Sequence, residues 1–129
     1  MIFPPELVLP QKTIFRKGGA SDLGGEACRF GARGLLVHGP SLERNGAKEA
    51  ILRRFPAGSK VGSFCRGKGE PASPVGNRHQ RGEPTLDEIS RVIAEARALD
   101  ADWIAGVGGG SVLDLAKAAA GLYLSLIHI

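Results

Sequence analysis

The sequence of 129 residues predicts an α/β domain, a parallel sheet flanked by helices. Three observations predict it. Short apolar runs bounded by glycine or proline alternate with stretches whose apolar residues recur at steps of three and four. One such stretch opens with a helix-capping signature. The segment "WIAGVGGGSVLDLAKAAAGL", Trp103 to Leu122, passes from an apolar run through three glycines into an alanine-rich amphipathic stretch. Strand and helix thus alternate at least twice, which favours parallel strands joined by right-handed crossovers.

Taken in order, "ELVLPQKTIFRKGG" alternates loosely and suits short strands or a hairpin at a sheet edge. "SDLGGEACRFG" reads as a short helix capped by Ser21 and closed near Gly31. Leu35, Leu36 and Val37 make a compact apolar run between Gly34 and Gly39-Pro40, the pattern of a buried strand. A helix is expected from about Asn45 to Phe55, stopped by Pro56. "KVGSFC" reads as a further strand. In "TLDEISRVIAEARALD", Leu86, Ile89, Val92, Ile93 and Ala96 build an apolar stripe, and Thr85 with Glu88 forms a T-x-x-E capping box. "WIAGV" is then a buried strand. "SVLDLAKAAAGL" is an amphipathic helix through Val112, Leu115, Ala116, Ala119 and Leu122.

Composition sets the class. Apolar and charged fractions of 43% and 23% are those of one soluble globular domain. A formal charge of +4 invites a nucleic-acid reading, but the chain has one Trp and one Tyr and no aromatic-studded basic ridge. Arg66, Lys68, Arg78 and Arg81 read instead as the charges of a solvated loop. Cys28 and Cys65 have no metal-ligand spacing and are expected to be reduced, partly buried thiols. No basic leader precedes an apolar stretch, and no apolar run reaches the roughly 18 residues of a membrane helix. The cytoplasm is the expected location, with no membrane or nucleic-acid partner.

A strand, a glycine turn and a helix N-terminus can form an anion site. The first-turn N–H groups have no intrahelical acceptor, and the helix dipole places partial positive charge there. Glycines let a phosphate approach the backbone. Ser111 can cap the helix or donate to a phosphate oxygen, and Asp114 completes an S-x-x-D pattern. Glycines alone leave this reading level with that of a plain tight βα turn. The stretch is neither a G-x-G-x-x-G fingerprint nor a P-loop.

"GEPTLDEI…ADWIAGVGGGSVLDLAKAAAG" resembles the N-terminal domain of the iron-containing alcohol dehydrogenase family, within the group that includes glycerol dehydrogenase and dehydroquinate synthase. Gly108–Ser111, Asp114, Ala116 and Lys117 match the family's G-G-G-S-x-x-D-x-A-K stretch, and Glu83-Pro84-Thr85 matches its preceding [E/N]-P-T triplet. The resemblance implies a Rossmann-like domain, residues 1–123, that stops before an all-helical metal-binding domain. It implies NAD or NADP, with Gly109, Gly110 and Ser111 at the pyrophosphate, Asp114 toward the nicotinamide and Glu83 toward the adenosine. Where NAD-preferring members often carry an acidic residue, Gly39 stands here, followed by Ser41 and Arg44. NADP is therefore permitted and slightly favoured. A divalent metal, iron or zinc, is expected only in the missing C-terminal domain. His38, His79 and His128 do not form a ligand set, so neither a metal ligand nor a catalytic residue is assigned within this chain.

The resemblance further implies oxidation of a small-molecule alcohol to an aldehyde or ketone by a parent enzyme, itself a candidate homo-oligomer, with the fragment inactive alone. The alternatives are a glycerol dehydrogenase or dehydroquinate synthase-like member, or a non-catalytic nucleotide-binding module. Two segments stand apart. "GEP" occurs at Gly69–Pro71 and again at Gly82–Pro84, so residues 69–81 read as a surface insertion or, alternatively, a sequence error. Leu124 to Ile129 are the residues encoded by CTG-TCT-CTT-ATA-CAC-ATC, a string resembling a transposon end used as a sequencing adaptor, so 124–129 read as a non-native tail, with a short apolar C-terminus as the alternative.

Overall fold

The computed structural model describes residues 19–67 and 82–127. The expected N-terminal hairpin, except Gly19, and all of the candidate insertion, with His79 and His128, lie outside those residues. The described chain runs through a 3-10 turn (Gly19–Asp22), α1 (Leu23–Ala27), β1 (Arg33–His38), α2 (Pro40–Arg44), α3 (Ala47–Arg53), β2 (Lys60–Cys65), α4 (Leu86–Leu99), β3 (Trp103–Val107) and α5 (Gly110–Ile127).

The three strands are parallel in the order β2-β1-β3. Central β1 is covered on both faces, and Leu35, Leu36 and Val37 are fully buried. That is why this strand reads as an unbroken apolar run rather than an alternating one. Leu35 and Val37 pack with Val92, Ala96, Val112, Leu115 and Ala119 of α4 and α5. Strand alternation sends Leu36 and His38 to the opposite face. There Trp103, in register with Gly34, stacks on Phe55 just beyond α3, with ring centroids 5.6 Å apart. Helices therefore cover both faces, as the predicted α/β class requires.

Several local expectations need correction. The first helix has Asp22 rather than Ser21 at its N-cap, without a side-chain cap bond, because a 3-10 turn precedes it. The helix expected over Asn45–Phe55 is shorter, Ala47–Arg53, and Asn45 instead accepts from the Ala47 N–H with its side chain. A separate five-residue helix, α2, starts at Pro40. Leu86 and Leu122 leave their expected stripes and are 79% and 49% exposed. Leu86 is the first residue of α4, beyond the reach of the sheet. Tyr123 takes the buried place on α5 and donates to the Ala101 carbonyl at 2.8 Å. The helical backbone of α5 continues through Ile127, into the segment read as a tail. Among the described residues, no helix is long and apolar enough to cross a membrane.

Candidate functional site

β3 hands over to α5 through three glycines with different duties. Gly108 holds φ +153°, a conformation that L side chains rarely adopt, and a Cβ there would press on Val112 at 3.2 Å. Just before the turn, a Cβ on Gly106 would meet the Ala116 Cβ at 2.7 Å, so glycine is what lets α5 lie close on the strand. Gly109 and Gly110 are exposed, and a Cβ on either would meet nothing within 4 Å. The space above the turn is open.

The helix begins one residue earlier than its sequence suggests. Leu113 N–H donates to the Gly109 carbonyl at 3.1 Å, which makes Gly109 the cap and places Ser111 inside the first turn. Ser111 is thus not the capping residue. By helix geometry the amides of Gly110, Ser111 and Val112 precede the first intrahelical bond and have no acceptor within the helix. They stand at the positive end of an 18-residue helix. Asp114 and Lys117 are exposed on its outer face.

The end of β1 meets this turn. Gly39 caps α2 in extended backbone, and its Cβ position lies 3.7 Å from Val112 Cγ2. From β1 the chain crosses to β2 on one side, while β3 lies on the other. The Gly39 and Gly108–Gly110 loops therefore flank the point where strand order reverses. That is where open α/β sheets present a crevice to ligands. Ser41 is exposed in the first turn of α2, whose N-cap is Gly39.

A second wall comes from an arginine that reads as a loop charge. Arg66, directly after β2, is 6% exposed, and its N–H donates to the His38 carbonyl at 2.7 Å. Its guanidinium donates from Nε to Glu88 Oε2 at 2.7 Å and from Nη2 to the Gly82 carbonyl at 2.6 Å and the Glu83 carbonyl at 3.5 Å. Glu88 also closes the predicted capping box: Thr85 Oγ1 accepts from the Glu88 N–H at 3.1 Å, and Glu88 Oε1 accepts from the Thr85 N–H at 3.1 Å. Burial by itself pushes the Glu88 carboxyl up, but the Arg66 guanidinium and the Thr85 donors outweigh it. The net pKa is lowered below the usual carboxylate value. The exposed Glu83 is thereby fixed at the same carboxyl edge as Gly39. Sequence spacing gives no sign of the Arg66–Glu88 pair. A lone arginine after a strand looks like any surface charge.

A family model described as iron-containing alcohol dehydrogenase matches residues 75–127, which carry the capping box, β3, the glycine turn and α5. The chain belongs to the iron-containing alcohol dehydrogenase family. Relatives extend the match upstream. The chain is 34% identical over 112 residues to the probable NADH-dependent butanol dehydrogenase 2 of Bacillus subtilis (86% of this chain, 26% of the relative). It is 29% identical over 120 residues to NADH-dependent butanol dehydrogenase A of Clostridium acetobutylicum (89% and 27%). It is 29% identical over 119 residues to the glycerol-1-phosphate dehydrogenase [NAD(P)+] of Pyrococcus horikoshii (92% and 29%). The chain thus spans about a quarter of the length of the dehydrogenases it matches.

Proposed function

We propose that this chain is the dinucleotide-binding part of a metal-dependent alcohol dehydrogenase. What supports the reading is the meeting of the Gly39 loop with three amides that have no acceptor within their helix, beside open space at Gly109 and Gly110, at the strand-order reversal of a family member's sheet. The amides of Gly110 to Val112, the backbone of Gly109 and the Ser111 hydroxyl would hold the pyrophosphate. Asp114 would lie toward the nicotinamide. Gly39, Ser41 and the Glu83 turn would border the adenosine side. The bound nicotinamide supplies a hydride acceptor or donor. This chain's residues orient it and exclude water from one side.

The names of the relatives, NADH-dependent for two and NAD(P)+ for the third, support NAD(H) and keep NADP(H) open. No carboxylate at Gly39 stands against a 2′-phosphate. The substrate is a small alcohol, or its carbonyl partner. The glycerol-1-phosphate dehydrogenase relative supports a phosphorylated polyol as the second reading. The divalent metal that polarises such an oxygen would be held in a further, helical domain, and the 129-residue chain alone has no turnover. A cytoplasmic, soluble homo-oligomer goes with this proposal.

Gly109→Val and Gly110→Val test it, because added atoms would enter open space rather than the core. Calorimetry should show NADH affinity falling at least about tenfold, 1.4 kcal/mol, with little change in melting temperature. Unchanged affinity in both variants contradicts the site. Alcohol oxidation by the purified 129-residue chain with metal and cofactor contradicts the claim that it is inactive alone.

A further inference from the structure

One strand over from the glycine turn, β1 and β2 end in register, with His38 opposite Cys65. Paired positions on neighbouring strands send their side chains to the same face. Glu43 of α2 reaches the same place. A ring nitrogen of His38, a carboxylate oxygen of Glu43 and Cys65 Sγ lie within 4.8 Å of one another.

The histidine is what distinguishes this cluster from three chance neighbours. His38 is fully buried. Its Nδ1 lies 2.9 Å from the Gly39 carbonyl, which can only accept, so Nδ1 carries the proton. That leaves the lone pair of the neutral ring on Nε2, and Nε2 has no hydrogen-bond partner among the described residues. An unsatisfied buried acceptor is destabilising, and a Lewis acid would satisfy it. A backbone carbonyl on one imidazole nitrogen is also the usual means of aiming the other at a metal.

We infer that His38, Glu43 and Cys65 form a binding site for a borderline-soft divalent metal of the zinc type, beside the Gly39 loop that borders the proposed dinucleotide crevice. Imidazole, thiolate and carboxylate together suit zinc or cobalt and disfavour magnesium or calcium, which take oxygen. Three protein ligands leave a fourth position to water. Ligand atoms around tetrahedral zinc stand about 3.3–3.8 Å apart for bonds of 2.0–2.3 Å, so the cluster closes by about an ångström on binding. Glu43, itself half-buried on a short helix with no buried residue, is the ligand able to make that movement.

Present contacts of Cys65 and Glu43 give way. The Cys65 S–H bond breaks as sulfur bonds the metal, its proton passes to solvent, and a 3.8 Å contact to the Arg66 carbonyl is released. Lys48, whose Nζ donates to Glu43 Oε1 at 3.4 Å, is a built-in competitor for the carboxylate. Affinity therefore rises when Lys48 is removed.

The test is a titration of the purified protein with Co²⁺ alone, followed by displacement with Zn²⁺. The expected result is one cobalt per chain with a near-ultraviolet sulfur-to-cobalt charge-transfer band. Cys65→Ser abolishes the band, whereas Cys28→Ser, His79→Gln and His128→Gln keep it. Glu43→Gln weakens binding at least about tenfold, the loss typical of even an outer-sphere group. Lys48→Ala tightens it. Circular dichroism shows whether Cys65→Ser stays folded, and Cys65→Ala serves if it does not. No stoichiometric cobalt, or a band that survives in the Cys65 variant, overturns the inference. No dinucleotide enters the experiment, so its failure leaves the cofactor reading untouched, and the reverse holds as well.

Discussion

The two walls of the carboxyl edge are built by opposite means. At the β3–α5 turn the polar groups are backbone amides with no side chain of their own, and exposed glycines leave the space above them open. At the Arg66–Glu88 turn the polar groups are side chains, buried to within 6% exposure and bonded several times over. The first wall has donors with no acceptor in their own helix, whereas the second spends its Arg66 Nε and Nη2 donors internally. A ligand that brings negative charge finds its partners on the first wall. The second keeps the Glu83 turn in place.

Breaking the second wall has the largest expected effect. Arg66→Ala strands a buried carboxylate and releases the Gly82–Glu83 turn, and should cost about 3–5 kcal/mol in chemical denaturation. A loss under about 1 kcal/mol would mean that the pair is solvated in solution. Replacing both partners together, Arg66→Met with Glu88→Leu, should recover most of that stability. It should not recover the fixed position of Glu83.

Next comes the strained glycine of the first wall. Gly108→Ala forces a side chain into φ +153° against Val112 and should destabilise by about 1–3 kcal/mol. Here the cost is in backbone geometry, so salt should not change it. Thr85→Ala removes the cap and should cost about 1 kcal/mol. The loss of stability below neutral pH sharpens the contrast. The Glu88 pKa is lowered in the folded protein, so its contribution is fully present above the ordinary carboxylate value near 4.5 and is lost as pH falls through the lowered folded value. Glu88→Gln should flatten that part of the stability–pH curve, whereas changes at Gly109 or Gly110 should leave its shape alone.

Tyr123→Phe gives the smallest effect, about 0.5–1.5 kcal/mol, through loss of the bond to the Ala101 carbonyl. Burial, with Asp100 and Asp102 nearby, raises the tyrosine pKa. Its contribution is therefore present below the ordinary phenol value and is lost as pH rises through the raised folded one. The phenylalanine variant should lack that alkaline loss.

Much of this was legible beforehand, and the reasons differ by element. The turn Gly108–Ser111 could be read because a strand period, a glycine cluster and a helix period follow one another within twenty residues. The Thr85–Glu88 box could be read because both partners lie within one turn. Helix α2 could not, since five residues opening on Pro40 are too short to show a period. Arg66 was hidden because its partner lies 22 residues on, behind the segment 68–81. The register that sets His38 beside Cys65 was equally hidden, since it depends on how two strands align. Contacts within a turn are written in the sequence, whereas contacts across the sheet appear only once the chain is folded.

The most direct measurement follows the backbone amides of Gly109 to Val112 by nuclear magnetic resonance while NADH is added to the isotope-labelled protein. The account predicts that these signals move first and furthest, saturating with the calorimetric affinity, while the Arg66 and Glu88 amides shift little. Saturable binding that leaves the Gly109–Val112 signals in place would contradict it.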